Sequence, residues 1–179
     1  MEVAMAKRIA IVVIVSVAAL LIYAATLPDA FHVQRSINIK APPEKIFAIL
    51  SDFRLSESWS PYEKKDPAMK RTFSGSANGK GALYEFAGNK EVGKGRLLIT
   101  DTVPPSRITI ALDMVEPFEA HNVIEYTLQT KGDTTDVTWA LDGHCPYIGK
   151  VMGIFINKDN MIGKDFEAGL ANLKAVAET

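Results

Sequence analysis

Few residues in this 179-residue chain are of types, in patterns, that carry acid–base or nucleophilic chemistry. The histidines His32, His121 and His144 have no metal-ligand spacing. His121 and His144, besides His32 on the first strand, are the acid–base candidates after residue 28, yet strand alternation puts His121 and His144 on polar faces, and does the same for Glu85 and Asp142. A general acid or base must reach the proton it moves, so a histidine turned to water does no such work. The single cysteine, Cys145, stands beside Pro146 outside any nucleophile motif, so a nucleophilic role is not expected of it. One cysteine also excludes an intramolecular disulfide framework and a multi-cysteine zinc site. Asn157, Asp159 and Asn160 interrupt an apolar helical pattern and either polarise a ligand head group or face water. No G-x-S-x-G, H-E-x-x-H, P-loop or dinucleotide fingerprint occurs. Catalytic residues are therefore unassigned, and neither a metal nor a cofactor is expected.

What remains is the chemistry of burial. Trp59 and Tyr62 follow a helical stretch and can form an aromatic gate or simply pack a rim. Tyr84, Phe86, Ile110, Met114, Tyr126 and Trp139 fall on the apolar faces of strands, and Met152 and Phe155 lie on a helical stripe. These ten are the ligand-binding candidates, and plain core packing accounts for the same pattern. Buried Tyr and Trp need hydrogen-bond partners, which a ligand can supply. Methionine suits an adaptable apolar pocket.

The elements that position these residues follow from periodicity. Phe31–Lys40 alternates as a strand, and Ala41-Pro42-Pro43 ends it. Pro43 and Glu44 start a helix through Leu50. Asp52–Ser58 predicts a second short helix, stopped by Trp59-Ser60-Pro61-Tyr62. Strands are predicted at Met69–Gly75, Ala82–Ala87, Val92–Asp101, Arg107–Met114, Phe118–Thr130 and Thr135–His144. Together they form an antiparallel sheet with one wet and one buried face. From about Lys150 to Glu178 the period becomes helical, predicting one long amphipathic helix. Gly153, Gly163 and Gly169 in it each cost roughly 1 kcal/mol against Ala, and their use is close approach or space.

Ile9–Leu27 is a 19-residue apolar run between Lys7-Arg8 and Asp29. As a helix it spans roughly 30 Å, the thickness of a bilayer's hydrocarbon core. It exceeds the usual signal-peptide core of about 7–15 residues and lacks a strong A-x-A site, which favours an uncleaved anchor over a cleaved signal. The expected organisation is a short tail at 1–8, a transmembrane helix at 9–27 and a folded domain at 28–179. Lys7, Arg8 and the terminal amine favour a cytoplasmic N-terminus, with the domain on the periplasmic or extracytoplasmic side. The whole chain holds 20 basic and 21 acidic residues, a net charge of -1. That balance excludes a generally basic nucleic-acid binder. The domain itself carries 18 basic and 20 acidic residues, so its net charge does not draw it to anionic lipid.

The order of elements, read with its motifs, resembles the polyketide cyclase/dehydrase and lipid-transport branch of the SRPBCC superfamily, the START-like helix-grip fold. The resemblance rests on RSINIKAPPEKIFAIL (35–50), WSPYEKKDPAMK (59–70), VGKGRLLITDTVPPSRITIAL (92–112), GDTTDVTWALDG (132–143) and GKDFEAGLANLKAVAE (163–178). It implies an α+β fold, with a curved antiparallel sheet of about seven strands around a long C-terminal helix and two short helices after strand one. It also implies a cavity between sheet and helix that holds a hydrophobic or amphipathic small molecule, lipid or polyketide-like. It transfers no chemistry. Two alternatives stay open: a cyclase-, dehydrase- or hydrolase-type enzyme on an apolar substrate, and a non-catalytic partner domain of another membrane protein.

Overall fold

A computed structural model describes residues 2–155 and 157–179. The chain divides into two compact units. One comprises residues up to Phe31 together with His144–Lys158, and the other comprises His32–Gly143 with Asp159–Thr179.

The larger unit is built on a seven-stranded sheet of order β1-β7-β6-β5-β4-β3-β2. The strands are β1 (Ala30–Ile39), β2 (Lys70–Gly75), β3 (Ala82–Ala87), β4 (Lys94–Val103), β5 (Arg107–Glu116), β6 (Ala120–Lys131) and β7 (Thr134–His144). The ladders from β2 through β7 are antiparallel. Alternation decides which face is dry: Thr135, Val137, Trp139 and Leu141 of β7 are buried, and so are Ile124, Tyr126 and Leu128 of β6. The helix α2 (Pro43–Ser51) starts with proline in its first turn and buries Ile46 and Leu50. Helix α6 (Lys158–Ala177) buries Phe166, Leu170, Leu173 and Ala177 at helical spacing.

Two expectations about the helices are corrected. The predicted single short helix at 52–58 is a 3-10 turn (Phe53–Leu55) followed by α3 (Ser56–Trp59). Helix α3 ends at Trp59, as expected from the residue before Pro61, with Ser60 extended, but Pro61 has a second role. It starts α4 (Pro61–Lys65), because a ring-fixed φ suits a first helical position. The predicted continuous helix from 150 to 178 is instead two, α5 (Tyr147–Phe155) and α6, with Asn157 outside both. Asn and Asp side chains compete for backbone hydrogen bonds and favour helix ends over interiors. Asp159 in the first turn of α6 is also held by Arg35 of β1, Nη2 to Oδ2 at 3.0 Å.

Two glycines of α6 mark close approach. A Cβ on Gly169 would lie 2.7 Å from Cζ3 of Trp139 and 3.0 Å from Cδ of Pro61. A Cβ on Gly163 would overlap the Arg35 guanidinium. The missing side chains let the helix lie against these groups.

In the smaller unit, α1 (Glu2–Thr26) contains a stretch, Met5–Thr26, long and apolar enough to cross a membrane. The Tyr147 hydroxyl donates to the Leu21 carbonyl at 2.8 Å. Lys150 of α5 is buried and ion-paired with Asp29, and this pairing holds the Asp29 carboxyl below its ordinary range.

Candidate functional site

A cavity of about 330 Å³ lies inside the larger unit. The strands supply one wall, including Leu97, Leu112 and Leu141, and α6 supplies Ile162 and Phe166. The segment from α2 to α4 closes it with Leu50, Phe53 and Glu63 among others. Exposed Lys90, Glu91 and Pro117 also line it and mark its mouth.

Eight of the ten candidates named from sequence come together here: Trp59, Tyr62, Tyr84, Phe86, Ile110, Met114, Tyr126 and Trp139. Met152 and Phe155 do not line this cavity. They stand on α5, in the other unit, and are 41% and 73% exposed. The reason is the break between α5 and α6, since it is α6 that faces the cavity. The acid–base candidates stay outside as well: Glu85, His121, Asp142 and His144 are all exposed. His121 Nδ1 is 2.7 Å from Asp113 and His32 Nδ1 is 2.7 Å from Asp142, and hydrogen bonding to these carboxylates raises each imidazole above its ordinary value. Cys145 is buried. Among the described residues no cluster of His, Cys, Asp and Glu is arranged to hold a metal.

Two features of the cavity wall have chemical consequences. The first is an aromatic triangle. The Trp59 ring meets Tyr126 at 6.1 Å and Trp139 at 5.6 Å, both edge-on, and Tyr126 lies 5.3 Å from Trp139. Trp139 also stacks on Phe166 at 4.1 Å. The indole N–H groups of Trp59 and Trp139 are buried and donate to no protein atom. An unsatisfied buried donor costs about 1–3 kcal/mol, so two on residues that line one cavity call for a partner. Burial pushes the Tyr126 hydroxyl far above its ordinary pKa, so it stays protonated and able to donate.

The second is Glu63, which sequence reading missed. It is only 6% exposed, yet it lines an apolar cavity. Its Oε1 accepts from the Tyr84 hydroxyl at 2.7 Å, and its Oε2 accepts from Arg71 Nε at 2.7 Å. Burial, with the hydrogen bond to Glu63, raises the Tyr84 phenol and keeps it protonated. A buried carboxylate needs such partners, because an unpaired charge in an apolar site is very costly. The available sequence signal was a glutamate in the first turn of a proline-started helix. Its partners lie eight and 21 residues away and could not be read locally.

A family model for polyketide cyclase / dehydrase and lipid transport matches residues 30–178. No curated protein matches the sequence. Among solved structures, a Chromobacterium violaceum protein is similar at a TM-score of 0.60 and 17% identity, covering 86% of this chain and 99% of that one. A Nitrosospira multiformis protein gives 0.59 at 19% identity, covering 82% and 96%. The Aha1 dimer from Colwellia psychrerythraea gives 0.55 at 20% identity, covering 83% and 96%. At these identities the structural likeness speaks to fold alone.

Proposed function

The chain belongs to the polyketide cyclase / dehydrase and lipid transport family, and from that premise we propose that it is a membrane-anchored binding protein whose larger unit holds a hydrophobic or amphipathic small molecule. The observation that carries this reading is the cavity walled by aliphatic and aromatic side chains, with only Glu63 as a buried charge in its lining. Removing apolar ligand surface from water supplies about 25 cal/mol per Å², and a few polar groups set orientation. A volume of about 330 Å³ lies at the low end of the roughly 300–1,000 Å³ typical of small-molecule pockets, which suits one compact or single-chain molecule.

The anchor reading draws on the smaller unit. Helix α1 exposes apolar side chains around its circumference, among them Ile9, Val12, Ile14 and Ile22. Such a helix is unstable in water and suited to lipid. On α5, Ile148, Met152 and Phe155 form a further exposed apolar stripe at helical spacing. With Lys7 and Arg8 before the span, the N-terminus is cytoplasmic and the larger unit extracytoplasmic.

Native mass spectrometry of the full chain released from detergent tests the binding reading. A stoichiometric small molecule of apolar character is expected, and a cavity that stays empty and refuses apolar probes would count against it. A second reading, an enzyme on an apolar substrate, is favoured by Glu63 alone. Both of its oxygens are already engaged by Tyr84 and Arg71, which suits a structural carboxylate better than a free base.

A further inference from the structure

We infer that the ligand of this cavity carries a neutral oxygen acceptor, a carbonyl, ether or hydroxyl oxygen, and that this oxygen sits at the inner end against the indole N–H groups of Trp59 and Trp139. The inference rests on the binding reading above and names the ligand's chemical class. Both tryptophans are more than nine-tenths buried, both line the cavity, and neither N–H has a protein acceptor. An indole N–H can only donate, so the missing partner must accept. Tyr126, in ring contact with both, also lines the cavity.

The register locates this polar spot within the cavity. Trp139 pairs with Tyr126, which pairs with Ile108. Met114, six residues along β5 from Ile108, lies toward the mouth marked by Lys90, Glu91 and Pro117. Six strand residues span roughly 20 Å. The donors are thus remote from solvent, and a ligand whose only polar group stays at the entrance leaves them unsatisfied.

Charge decides against an anionic acceptor. A buried anion needs a cation beside it. The buried Glu63 already takes Arg71, Lys65 is paired with Asp165, and Lys90 stands at the mouth. A ketone, ester, quinone or alcohol meets the indoles without that cost, whereas a carboxylate or phosphate does not.

The chain's two tryptophans are Trp59 and Trp139, so the isotope-labelled indole N–H spectrum of the full chain holds these two signals alone. Three probes of equal length, methyl nonyl ketone, undecane and undecanoate, are titrated into the full chain in detergent. The ketone is expected to bind about tenfold tighter than the alkane and to move both indole signals downfield, while the alkane moves neither in that direction. Trp59→Phe and Trp139→Phe are each expected to lose that preference and keep alkane binding. If a variant fails to fold, the two signals of the unsubstituted chain still decide. Equal binding of ketone and alkane without a downfield move overturns the inference and leaves the cavity a binding site. Tighter binding of undecanoate overturns the neutral class, and indole signals already downfield before any probe is added overturn the need for a ligand acceptor. If no probe binds at all, it is the binding reading itself that fails.

Discussion

Glu63 shows how one side chain couples the wall of the cavity to the stability of the fold. Tyr84→Phe removes one of its two hydrogen-bond donors and leaves Arg71, so a loss of about 1–2 kcal/mol is expected in denaturant unfolding. Glu63→Ala strips the buried Tyr84 hydroxyl of its acceptor and Arg71 of its counter-charge, and the loss should exceed that of Tyr84→Phe. The double variant should cost less than the sum, because the two residues share one network. On the wet face, His121 and Asp113 titrate against each other. The His121 pKa is raised above 6.5 by Asp113, so its stabilising contribution is full below that pH and is lost as pH rises through the raised value. The Asp113 pKa is held below 3.8 by His121 and Arg96, so its contribution is present above that pH and is lost as pH falls through the lowered value. The pair is strongest between those limits. An imidazole titration followed by NMR should show His121 falling back toward 6.5 in Asp113→Asn, and an unchanged midpoint would refute the pairing.

At the scale of elements, α6 is seated on the sheet by two glycines whose replacement should have different consequences. Gly169→Ala drives a methyl group into the stacked Trp139 ring and Pro61, both fixed by packing. Overpacking there should cost about 1–3 kcal/mol in spite of alanine's better helix propensity. Gly163→Ala meets only the end of Arg35, a flexible side chain held by Asp159 and Glu167 on partly exposed ion pairs. Such pairs contribute about 0–1 kcal/mol, and the helix gains about as much from alanine, so the change should be close to neutral. Thermal unfolding of the two variants side by side checks the contrast; equal losses would mean that the approach of α6 is not what these glycines serve. The buried stripes of β5, β6 and β7 were legible because alternation is a local property of the sequence. The boundary between α5 and α6 was not, since apolar spacing continues across it and the Arg35–Asp159 contact at the start of α6 joins residues 124 apart.

For the whole molecule, the two units differ in how their apolar side chains are covered. The larger closes its own apolar face, apart from the cavity, while α1 leaves its apolar surface uncovered. Val17→Arg, near the middle of the span, should cost about 2.5–3.5 kcal/mol of insertion and shift the chain from the carbonate-resistant membrane fraction toward the soluble one. Retention in the membrane fraction would argue against α1 as the anchor. Filling the cavity is the complementary test. Leu112→Phe adds volume on the cavity wall, so it should lower the affinity for an apolar probe by about tenfold or more while unfolding changes by about 1–2 kcal/mol at most. A variant that binds as well as the parent chain would place the ligand elsewhere.

Patterning alone determined the apolar helix, the seven strands, the inward faces of Tyr84, Tyr126 and Trp139, and the outward faces of Glu85, His121 and Asp142. These follow from the two backbone periods, which each segment carries in its own residues. Tertiary structure alone decided that Trp59 meets Trp139 from 80 residues away with both indoles unpaired, that Glu63 is buried between Arg71 and Tyr84, and that Met152 and Phe155 stand apart from the cavity. A hydrogen bond or an unfilled volume is a relation between distant atoms in three dimensions, and no window of the chain contains both of its ends.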